Sequence, residues 1–67
     1  MMTKISISPA YIASNLSTWP LDEPMLRSTY HDIVRDCDYR QVLVEFRRLS
    51  FDHARSFENF LKEFKLI

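Results

Sequence analysis

The sequence predicts an all-α fold: a small bundle of three main amphipathic helices plus a short N-terminal helix, preceded by an extended N-terminal arm. Three observations carry this. None of the 67 residues is glycine, the residue that supplies positive φ in tight hairpins and phosphate-cradling loops. Three consecutive stretches place apolar side chains at helical spacing. Asp, Ser and Pro stand at the junctions between them, where helix caps belong.

Taken in order, Lys4-Ile5-Ser6-Ile7-Ser8 alternates polar and apolar, as a short strand or extended arm does, and residues 1–8 are assigned to such an arm. Ser8-Pro9 then starts a short helix, with Ser8 as cap, Pro9 in the first turn and Ile7 stapled onto Ile12. That helix runs to Leu16. Pro20 excludes helix at Trp19, so 17–21 is the linker. The second helix opens at Asp22-Glu23-Pro24, with carboxylates at the positive end of the helix dipole. Leu26, Tyr30, Ile33, Val34 and Cys37 form its buried stripe; Arg27, Asp32, Arg35 and Asp36 face water.

Asp38-Tyr39-Arg40-Gln41 reads as a capping box, in which Asp38 accepts from the Gln41 amide and the Gln41 side chain reaches back. The third helix, 39–49, aligns Tyr39, Val42, Leu43, Phe46 and Leu49 on one side. A strand over 42–46 would suit Val42, Val44 and Phe46, but the helical period holds over eleven residues and wins. Ser50 caps a fourth helix, 51–65, whose stripe is Ala54, Phe57, Phe60, Leu61 and Phe64, with Glu58 and Lys62 paired on the wet side. The whole chain is a single small domain, 1–67.

Composition narrows the function classes. Nine basic and nine acidic side chains balance. Residues 1–38 hold three basic against five acidic groups, and residues 39–67 hold six against four. Nucleic-acid binding ordinarily needs a clear positive excess. Phosphate and dinucleotide loops need glycine. Two histidines and one cysteine show no metal-ligand spacing, so no metal and no cofactor are expected. Cys37 continues an apolar stripe, and His31, six residues earlier, falls on another helix face, so no nucleophile–base pair is expected. Asp32 and Asp36 share a solvated face with Arg35 beside them, and His53 is a packing residue at the edge of the Phe57–Phe60 stripe. An enzyme is not expected. A single cysteine, no membrane-spanning run and no secretory pattern make the cytoplasm the expected compartment.

What remains is apolar surface in excess of a small core. Five Phe, three Tyr and one Trp in 67 residues suggest a homodimer or a covered patch. Val44 lies off the third helix's stripe, one stray apolar residue among Arg40, Arg47 and Arg48 on a single helix, and arginine is enriched at binding hot spots. Those four residues are the expected partner-binding site. The expected function is a small protein-binding regulator or inhibitor, of the size class of phage inhibitors and antitoxins, that sterically occupies a partner's surface. The alternative is a small dimeric DNA-binding regulator using helix 39–49 or the N-terminal arm.

Overall fold

The computed structural model describes residues 8–67, so the arm and the Ile7 staple lie outside the described residues. Four helices follow in order: α1 (Pro9–Leu16), α2 (Glu23–Asp36), α3 (Tyr39–Leu49) and α4 (Phe51–Glu63). There is no strand among the described residues. The all-α bundle is therefore the observed architecture.

Each helix starts where its cap chemistry allows. Ser8 Oγ accepts from the Tyr11 amide at 3.1 Å, and Pro9 follows in the first turn, where a missing N–H costs nothing. Asp22 stands at the N-cap of α2 without a side-chain cap bond. Pro24 removes one of the two amides such a cap normally serves. Asp38 accepts from the Gln41 amide at 3.4 Å, but Gln41 does not complete the capping box. Its Nε2 donates instead to Glu45 Oε2, 3.4 Å away and one turn along the same face, where the acceptor is charged. Ser50 closes α3 through its amide to the Phe46 carbonyl and opens α4 by accepting from the His53 amide. One residue thus serves both helices.

The end of α4 departs from expectation. The helix stops at Glu63 rather than 65, and Lys65 takes a left-handed φ of 59°. The Lys65 amide donates to the Lys62 carbonyl and the Leu66 amide to the Leu61 carbonyl, at 3.0 and 2.9 Å. This is the Schellman arrangement, built with lysine where glycine is usual. The turn brings Leu66 back against the core.

The core collects Ala13 and Leu16 from α1; Leu26, Tyr30 and Ile33 from α2; Val42, Leu43 and Phe46 from α3; and Ala54, Phe57, Phe60 and Leu61 from α4. Val34, Cys37 and Tyr39 pack partly buried at its margin, as does Trp19 from the linker. Phe57 sits at the centre, its ring 4.8 Å from Tyr30 and 5.5 Å from Phe46 between centroids. These tilted and edge-on geometries are the favoured ones for aromatic pairs.

Two stripe assignments need correction. Leu49 is 53% exposed: it is the last residue of α3, where the chain turns at Ser50, and the stripe runs off the packed face. Phe64, at the end of α4, is only half covered, by His31 and Phe60.

Two measurements test this packing. Phe60, 3% exposed, should cost about 3–5 kcal/mol when truncated to Ala, read from urea unfolding; an unchanged midpoint would place it outside the core. Lys65→Gly relieves a left-handed residue worth about 1–2 kcal/mol but loosens the unfolded chain by about 0.4–1 kcal/mol. The net effect should be a gain of up to about 1.6 kcal/mol, and a loss of stability would contradict the Schellman ending.

Candidate functional site

The first turn of α3 is fixed by Asp38, and Val42, Leu43 and Phe46 turn into the core. At about 100° per residue, that orientation sends Arg40, Val44, Arg47 and Arg48 to the opposite, outward sector. All four are exposed. The structure therefore places the four residues on one helix face, with Val44 between the arginines.

Their electrostatic situations differ. Arg47 is tied to α4: its guanidinium lies 3.4 Å from Glu58 Oε2, which Lys62 also approaches at 3.6 Å. Among the described residues, no carboxylate pairs with Arg40 or Arg48. The third arginine in this condition is Arg55 on α4, whose guanidinium carbon stands 5.9 Å from the centroid of Phe51. Phe51 is 68% exposed, more than any other large apolar side chain described. Neither Phe51 nor Arg55 belongs to the partner-binding set expected from the sequence. Their i, i+4 spacing was the available signal.

Elsewhere several polar side chains are occupied within the fold, although the buried Ser17 hydroxyl has no hydrogen-bond partner among the described residues. Arg27, expected to face water, instead forks onto Glu63 with two 3.0 Å bonds and lies over the rings of Phe60 and Phe64. Its planar guanidinium can do both at once, which the spacing alone did not disclose. Tyr30, fully buried, donates to Ser56 Oγ at 3.0 Å, and Ser56 donates to Glu23 at 3.1 Å. Burial pushes the Tyr30 phenol up, an effect that the Ser56 bond opposes and the nearby Glu23 charge adds to.

His53 is buried rather than at the edge, with 6% of its surface exposed. Because a carbonyl only accepts, its Nε2–H donates to the Trp19 oxygen at 2.9 Å, leaving Nδ1 to accept from the Ser50 hydroxyl at 2.7 Å. The ring thereby holds the linker onto the α3–α4 corner. The His31 ring packs edge-on to Phe60 and Phe64. Arg35 binds both Asp32 and Asp36, as the charge pattern suggested. Among the described residues, no group of three or more His, Cys, Asp or Glu is arranged to hold a metal ion. No helix described is long and apolar enough to cross a membrane.

Comparison with protein-family models, curated proteins and solved structures finds no match.

The hydrogen bonds and charge of Arg27 hold the Glu63 carboxyl below its ordinary value of 4.5, with His31 adding a smaller pull. A lowered carboxyl pKa contributes stability above that ordinary value and loses it as pH falls through the folded one. Wild type should therefore melt above Glu63→Gln at neutral pH, and the gap should close on acidification below about pH 4.5. Parallel melting curves across that range would remove the ion pair from the stability of the fold.

Proposed function

We propose that this chain is a small, non-enzymatic protein-binding regulator or inhibitor that acts by sterically occupying a partner protein's surface with the outer face of α3. The single observation supporting it is the pairing state of that face. Arg40 and Arg48 stand without carboxylates on either side of the exposed Val44, on a helix whose other side is anchored in the core. Arginine next to an apolar anchor on a rigid element suits recognition of an acidic-rimmed apolar groove. Arg47, held by Glu58, would set the spacing between the two helices at that groove.

The proposed compartment is the cytoplasm, and the proposed assembly is a homodimer covering the apolar edge of Phe64 and Ile67, each almost half exposed. The rival reading, duplex DNA bound by α3, meets a chain of zero net charge. It demands steep salt dependence.

Arg48→Glu should weaken capture of a defined host polypeptide by roughly tenfold and leave helicity unchanged by circular dichroism. Undiminished capture by this variant would refute the assignment of the face. Retention of the wild type on duplex DNA with a steep salt slope would move the function to nucleic acid. Sedimentation equilibrium that returns only monomer would remove the homodimer.

A further inference from the structure

We infer that the docking face continues across the α3–α4 corner onto Phe51 and Arg55, and that its occupant is an acidic segment of a partner protein carrying an apolar side chain between carboxylates. This rests on the protein-binding reading above and gives that reading a second anchor and a chemical class of target.

The first support is continuity. A single residue, Ser50, separates α3 from α4. Arg47 on the outer side of α3 bonds to Glu58 on α4. Glu58 lies seven residues, or two turns, from Phe51 and three from Arg55. The Arg47–Glu58 pair therefore joins the Val44 face to the Phe51–Arg55 face on one side of the helix pair. Phe51 occupies the first helical position after the Ser50 cap, and Ser50 is in turn bonded to the buried His53. An exposed ring on so constrained a backbone position loses little freedom when it is covered.

The second support is charge. Arg27, Arg35 and Arg47 are each satisfied by carboxylates of this chain. Of the described arginines, the three left over are Arg40, Arg48 and Arg55, on α3 and α4 around Val44 and Phe51. A second copy of the chain does not complement such a surface. A twofold axis through Val44 with α3 helices antiparallel sets Arg40 against Arg48 of the other copy, and like charges in an interface are costly. Phosphate backbone is the other polyanion to consider. Glu45, Asp52 and Glu58 stand on the same two helices, and the whole chain carries no net charge, a poor basis for counterion release. Isolated carboxylates flanking an apolar group fit both the arginines and the ring, with Arg55 over Phe51 already arranged as a cation–π pair.

The test is selection of a random peptide display library on the full immobilised chain. The selected peptides, fluorescently labelled, are then titrated by polarisation against wild type, Phe51→Ala, Arg55→Glu and Arg40→Glu, with single-stranded and duplex DNA as further probes. The expected consensus places Asp or Glu around Leu, Phe, Trp or Met, and Phe51→Ala and Arg55→Glu each weaken binding roughly tenfold or more. Because Phe51 is exposed, unchanged melting curves for both variants should accompany the loss. Acidic peptides that respond to Arg40→Glu but not to Phe51→Ala or Arg55→Glu would overturn the extension and leave the α3 reading standing. A library that yields no acidic consensus, or a chain that binds the oligonucleotides instead, would overturn both.

Discussion

Phe57 is the side chain on which the bundle depends. Its ring meets Tyr30 of α2, Phe46 of α3 and, in a stacked arrangement, Phe60 of α4. Three helices are thus registered by one aromatic group with no exposed surface. In so small a chain the core has no second layer to absorb an error. The polar bonds sit around this cluster and orient it: Tyr30 to Ser56, His53 to the Trp19 carbonyl, Arg27 to Glu63. Each of them joins α4 to another part of the chain, while α1 packs chiefly against α3.

A chain without glycine has to turn corners by other means, and the structure shows which. Ser50 takes extended backbone angles and serves two helix ends. Cys37 and Asp38 separate α2 from α3. Only Lys65 enters the left-handed region among the described residues. The strain there is offset by two carbonyls satisfied at the helix terminus and by Leu66 returning to apolar surroundings.

Much of this was legible beforehand because it depends on period and caps, which are local. Ser8, Asp38 and Ser50 marked helix starts correctly, and every residue buried in α3 and α4, apart from His53, belonged to the stripe read from spacing. The failures are tertiary. Whether Leu49 finds a neighbour depends on where the chain turns, and Arg27 found Glu63 at a separation of 36 residues. Gln41 turned its side chain forward to Glu45 rather than back to the start of its own helix. That Arg40, Val44, Arg47 and Arg48 share the outer side of one helix was legible from spacing alone. Arg55 had no place in that set, because the spacing along α4 does not disclose what lies beside it across the corner.

The one-residue joint at Ser50 has a kinetic meaning as well. With no loop to rearrange between α3 and α4, the spacing of Val44 from Phe51 is set before any encounter. Were the proposed face to bind a partner, association would be limited by diffusion and long-range attraction rather than by folding of the surface. Competing targets arriving at similar speed would be sorted by how long each remains seated.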